Sequence, residues 1–178
     1  MKKFFLLLCL CLALPTLAFA ATHQDTQNNY QVTLPDGWKI FSRSDVSYEA
    51  NEALYAENGS SSIFSVDIFD NPDFKKNENY SNAFSQQERQ EMINETKTDF
   101  SKLYPGIVFD NVEFTNVNGV LSLVVTGTFT EKGKTKRLAT FDTLQSSKVY
   151  IIYLVTEESL DTHKQIFWQI INTFKTLN

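Results

Sequence analysis

Cysteine is nearly absent from this 178-residue chain, which carries it only at Cys9 and Cys11. Both lie in an N-terminal stretch that reads Met-Lys-Lys, then an apolar run from Phe4 to Leu14, then Pro15 and Ala18-Phe19-Ala20. A charged start, a short apolar core and an A-x-A ending are the layout of a secretory signal peptide. Cleavage between Ala20 and Ala21 is expected, which leaves 158 of the 178 residues and no thiol. The mature chain is thereby denied disulfide staples, thiolate metal sites, Cys nucleophiles and iron–sulfur clusters. A lipid anchor is rejected as well, because Leu8 and Leu10 precede the two cysteines where a small residue is needed.

Histidine is equally scarce, at His23 and His163. Zinc sites built on histidine need two or three convergent ligands, and Ser-His-Asp chemistry would have to use one of these two without a Gly-x-Ser-x-Gly elbow. His163, in the first turn of the last predicted helix, reads as a helix-surface or half-buried residue. The six glycines form neither a Walker loop nor Gly-x-Gly-x-x-Gly, which removes the usual nucleotide motifs. Beyond the signal, no apolar run approaches the roughly 20 residues that a membrane-spanning helix requires. Loss of Lys2 and Lys3 takes the formal charge from −5 to −7, so nucleic acid and anionic membranes are poor partners. No catalytic residue and no cofactor are expected.

What is present is strand and helix patterning. Residues 21–28 are polar and aperiodic and read as a flexible leader; residues 29–178 read as one domain. Tyr30 to Leu34 alternates as a first strand, and Pro35-Asp36-Gly37 turns it. Two extended segments, Val46 to Glu57 and Ile63 to Asp70, flank Asn58-Gly59, a hairpin signal. From about Ser81 to Tyr104 the period is helical, with Ser81 or Asn82 as cap and Pro105-Gly106 as stop. Four strands follow: Ile107 to Asn116, Val120 to Thr130, Thr135 to Leu144 and Val149 to Thr156. The last is apolar on both faces, which predicts a central position. Ser159 to Leu177 reads as an amphipathic closing helix. The sum is an α+β class, a largely antiparallel sheet of about six to seven strands packed against helices.

This pattern resembles the PsbP-like family, which includes DcrB-type bacterial proteins and a yeast Ran-binding nuclear import protein. The residues that carry the resemblance are Tyr30-Gln31-Val32-Thr33-Leu34-Pro35-Asp36-Gly37-Trp38 and the helix ahead of the central strands. Val117-Asn118-Gly119-Val120, the strand with Tyr150 and Tyr153, and the ending in Phe174-Lys175 add to it. The resemblance implies an antiparallel sheet between helices, an α/β/α sandwich, and a non-enzymatic accessory or binding role in an exported protein. It transfers no site residue.

Two charge clusters stand out. Asp67, Asp70 and Asp73, with Glu49, Glu52 and Glu57 on the adjacent strand, offer oxygen ligands of the kind calcium takes. The spacing is no EF-hand, Asp67 and Asp70 point to opposite faces of a strand, and a solvated acidic strand end is the plainer alternative. Lys132, Lys134, Lys136 and Arg137 gather at a predicted hairpin tip, either as a charge-guarded edge or as a contact for an acidic partner. Most aromatic side chains fall on apolar faces, whereas Trp38, Tyr48 and Tyr55 could line a groove. The functional expectation is a monomeric, periplasmic or secreted bacterial protein that contacts an unidentified protein partner in the cell envelope. A carrier of a small apolar or aromatic ligand, in a cleft between sheet and helix, is the alternative. A carboxylate-based hydrolase is the third reading, and it requires two acids facing each other in a cleft.

Overall fold

The structure, a computed structural model, describes residues 21–42, 51–75, 77–145 and 147–177. The expected signal peptide with Ala20, and the positions of Tyr48 and Glu49, lie outside the described residues. Strands β1 (Ala21–Asp25), β2 (Tyr30–Leu34), β3 (Lys39–Phe41), β4 (Glu52–Asn58) and β5 (Ser62–Asp70) come first. Helices α1 (Tyr80–Ala83) and α2 (Gln86–Leu103) follow, then β6 (Val108–Val117), β7 (Val120–Glu131), β8 (Lys134–Gln145) and β9 (Lys148–Thr156). Helix α3 (Leu160–Ile171) and the two-residue strand β10 (Lys175–Thr176) complete the order. Seven strands form one antiparallel sheet in the order β3-β4-β5-β9-β8-β7-β6, and β1-β2-β10 form a smaller one. This is the α+β architecture expected from the patterning.

Because neighbouring strands pair antiparallel, side-chain parity assigns each residue of the large sheet to one face. On one face Phe64, Val66, Val124, Ala139, Phe141, Tyr150, Ile152 and Leu154 meet Phe167, Ile170 and Ile171 of α3 and Tyr30, Val32 and Leu34 of the small sheet. On the other, Val112, Leu123 and Val125 are covered by Ile93 and Phe100 of α2. Strand β9 is central, as its composition predicts. Its Tyr150, Ile152 and Leu154 are buried on the α3 side, while Ile151, Tyr153 and Val155 opposite are only partly covered.

Three elements depart from the sequence reading. The expected leader contains a strand: β1 pairs with β2 from Ala21–Leu34 to Asp25–Tyr30. Its side chains alternate between half-buried and exposed, so backbone pairing rather than an apolar face holds it. The long helix is divided at Phe84-Ser85. Asn79 caps α1, and Ser85 caps α2 in a reciprocal capping box with Glu88, which satisfies N–H groups that the first turn leaves unpaired. The last helix stops at Ile171 rather than running to Leu177. Thr173 Oγ1 donates to the Ile170 carbonyl and accepts from the Thr33 N–H at 2.8 Å, turning the chain so that β10 joins β2. Asn118-Gly119 turns β6 into β7, with Asn118 at φ 52° and Gly119 at φ 86°, the left-handed pair that a tight hairpin requires.

Candidate functional site

Helix α2 is polar along most of its length, and none of its residues is fully buried. It lies over β6 and β7 through Ile93 and Phe100, and its footprint stops short of β9 and β5. Two adjoining clefts open along this flank. The first, of about 250 Å³, is walled by Met92, Glu95, Asp99 and Phe100 of the helix and floored by Asp142 and Tyr153. The second, of about 300 Å³, lies one helical turn on, where Leu103 and Tyr104 face Ile63, Phe129 and Val155. Phe100 and Tyr153 line the first cleft, and Tyr104 and Val155, next along the same two elements, line the second; the pair of clefts is termed the α2 groove. Ile63 is 40% and Leu103 69% exposed, so the second cleft has an apolar mouth.

Tyr104 rests on Phe129, with ring centroids 4.7 Å apart. Burial raises the pKa of its phenol, and the nearby Glu131 and Asp67 add to the shift. Asp142, in the floor of the first cleft, accepts a 2.6 Å hydrogen bond from the Tyr80 hydroxyl. Burial pushes the Asp142 carboxyl up to about 7, against the opposing effect of the Tyr80 hydrogen bond. Some solvent contact remains at Asp142. Glu95 and Asp99 at the helix wall are exposed, and Asp99 holds Lys102 at 2.8 Å. Asp142 therefore sits beside exposed acids, with a tyrosine hydroxyl rather than a second carboxyl as its partner. The sequence carries one signal for it: an acid in register with Leu138, Thr140 and Leu144 on an otherwise apolar or small-polar strand face.

The acidic candidates are not brought together. Asp67 and Asp70 lie on opposite faces of β5, Asp70 accepts from Lys148 at 2.7 Å, and Asp73 is exposed in the following turn. Among the described residues no three His, Cys, Asp or Glu side chains assemble a metal cage. The basic candidates are also divided. Lys132 occupies the left-handed turn position, Lys134 pairs with Glu157 at 2.9 Å, and Lys136 pairs with Glu131. Arg137 faces the α3 side, where its Nε is buried without a hydrogen-bond partner. Trp38 does not line a groove: it is 8% exposed and packs edge-on against Phe64 in the core. Tyr55 is half-buried on the α2 side, its hydroxyl donating to Glu57 at 2.6 Å. His163 is not a surface residue but is 2% exposed. No helix among the described residues is long and apolar enough to cross a membrane.

No family model matches this chain, and no curated protein matches it in sequence. Solved structures match in shape. A cyanobacterial PsbP, CyanoP of Synechocystis, superposes with a TM-score of 0.65 at 16% identity, covering 92% of this chain and 95% of that one. The Ran-binding protein Mog1p of Saccharomyces cerevisiae superposes at 0.58 and 7% identity, covering 90% and 97%. A protein from Bacteroides thetaiotaomicron superposes at 0.54 and 10% identity over 84% of this chain and 46% of its own. The chain thus has the PsbP-like fold, a likeness of fold at these identities.

Proposed function

We propose that this chain is an exported, non-enzymatic binding or accessory protein of a bacterial envelope. Its partner is a protein that lays an apolar segment carrying a basic side chain along the α2 groove. The observation that carries the reading is the groove itself: an apolar mouth with Ile63 and Leu103 exposed, beside a cleft whose wall and floor hold Glu95, Asp99 and Asp142. Large exposed apolar side chains clustered at a cleft mark interaction surfaces more often than isolated ones do, and the acid-lined end selects a cationic group. Export rests on the layout of residues 1–20. A hydrolytic role is disfavoured because Asp142 faces the Tyr80 hydroxyl rather than a second carboxyl. The Ran-binding neighbour offers a case of this fold engaging a protein, although fold alone is a weak guide to function.

The test is site-specific photo-crosslinking in intact cells from position Leu103, with Trp168 on the opposite face as reference. The expected result is one discrete product from Leu103, lost when Glu95→Lys and Asp99→Lys are combined. Its crosslinked peptide should be apolar and carry Lys or Arg. Equal products from both positions, or an acidic crosslinked segment, would sink the reading. The export element is checked separately by the N-terminal mass, which should begin at Ala21.

A further inference from the structure

On the face opposite the groove, a cleft of about 280 Å³ separates the N-terminal half of α3 from β6 and β7. Its inner wall includes His163. The ring is 2% exposed and places Nδ1 2.9 Å from Thr156 Oγ1. Its other nitrogen, Nε2, is buried without a hydrogen-bond partner. Burial, together with the positive charge of Arg137, holds the His163 pKa down at about 4, against the Leu138 carbonyl and Asp110, which favour the charged ring. The imidazole is therefore neutral at physiological pH, and in the tautomer that carries its proton on Nδ1, toward Thr156, Nε2 is an acceptor. A buried ring nitrogen left unpaired is unusual in a folded protein, and as an acceptor it calls for a donor.

The rest of the cleft defines that donor. Asp110 and Glu113 stand on the β6 side. The register of β6 shifts between Phe109 and Asn111, and such a bulge re-aims neighbouring side chains. Lys164 is the cation that lines the same space, against two carboxyls. Phe167 and Trp168 form the aromatic side, and Trp168 keeps 39% of its surface exposed. Val124 and Ala139 make an apolar floor.

We infer that this cleft binds a small organic ammonium ion with an apolar body. Its N–H groups donate to His163 Nε2 and to the carboxylates of Asp110 and Glu113, and its body lies between Trp168 and the apolar floor. An indole face attracts a cation directly, and a charged donor strengthens each of these hydrogen bonds. An anion would meet two carboxylates. The site lies on the α3 side of the sheet and stands independently of the protein-binding groove.

The test is an NMR titration of the mature protein with phenethylammonium, and with phenylethanol and phenylacetate as its neutral and anionic counterparts. The expected result is a saturable shift of the Trp168 indole and His163 ring signals by phenethylammonium. Phenylethanol should bind about tenfold more weakly or worse, and so should phenethylammonium to the Asp110→Asn/Glu113→Gln variant. Phenylacetate should not bind. These two acids are exposed, so this variant keeps its fold even if His163→Gln does not, and its melting curve verifies that. Equal binding of amine and alcohol, unchanged affinity in the double variant, or no saturable shift with any probe would overturn the assignment. The last outcome would leave Nε2 to an ordered water.

Discussion

Helix α3 and helix α2 cover opposite faces of one sheet and are held in different ways. In its twelve residues α3 buries His163, Phe167, Ile170 and Ile171, while the eighteen residues of α2 bury none completely. Beside α3 the small sheet adds Tyr30, Val32 and Leu34, each with no exposed surface. Tyr30, Phe141, Tyr150 and Phe174 form a ring cluster with centroid separations of 5.6 to 6.1 Å. Opposite, α2 meets three buried residues and leaves β9 half covered. One face is built as a core and the other as a surface with a helix laid across it. Stability is therefore concentrated on the α3 side, and the α2 side is free to carry an open groove.

The largest effect that separates the two faces is a cavity. Phe167→Ala removes a side chain that is 2% exposed and should cost about 3–5 kcal/mol, measured by denaturant unfolding. Phe100→Ala on α2 removes a partly exposed ring and should cost about 1 kcal/mol. Equal losses would erase the distinction.

A smaller effect has opposite signs on the two faces. Asp142, on the α2 side, has a folded pKa of about 7 against a reference of 3.8. The folded protein keeps that proton across this window while the unfolded chain releases it, so the Asp142 contribution falls as pH rises from about 4 to 7. His163, on the α3 side, has a folded pKa of about 4 against 6.5. Here the unfolded chain gains a proton that the folded ring refuses, so the contribution falls as pH drops from about 6.5 to 4. The two slopes oppose each other. Asp142→Asn should unmask the His163 slope, gaining about 2 kcal/mol relative to the parent on going from pH 4.5 to 7.5. That figure is below the full shift because Asp142 keeps some solvent contact. Urea unfolding at the two pH values measures it, and an unchanged difference would mean that Asp142 ionises freely.

The same contrast governs what could be read from the residues. Strand β7 is legible because Leu121, Leu123, Val125 and Phe129 alternate with small polar residues, and β9 because it is apolar throughout. Pro105-Gly106 stops α2 as read, with Tyr104 at its C-cap. Elements fixed by distant partners are not legible. Strand β1 has no apolar face and exists by pairing with β2, and β10 is set by Thr173 reaching Thr33, 140 positions away in sequence. His163 looks like a surface residue because its burial depends on Thr156 and the β8 strand beneath it. The groove is invisible for a related reason. Leu103 belongs to an apolar helical stripe that predicts burial, and only the offset of α2 from β9 leaves it exposed, whereas Ile63 falls on the face of β5 opposite Phe64, Val66 and Ile68.

The smallest expected change in stability sharpens the comparison most. Leu103→Asp places a carboxylate where the side chain is 69% exposed, and Ile63→Asp does the same at 40% exposure on the facing strand. Neither position belongs to a buried cluster, so each variant should unfold within about 0.5 kcal/mol of the parent for Leu103 and about 1 kcal/mol for Ile63. Their effect should fall on binding instead. Each removes apolar contact at the mouth of the groove and adds a negative charge that repels no basic side chain. Crosslinking read from a neighbouring groove position such as Thr130 should therefore weaken through lost apolar contact, not through lost charge. Leu103→Lys then separates the two causes: it removes the same contact and opposes a basic segment, so it should weaken the crosslink further than Leu103→Asp. If Asp and Lys act alike, the groove recognises shape alone and the acids of its far end have another use.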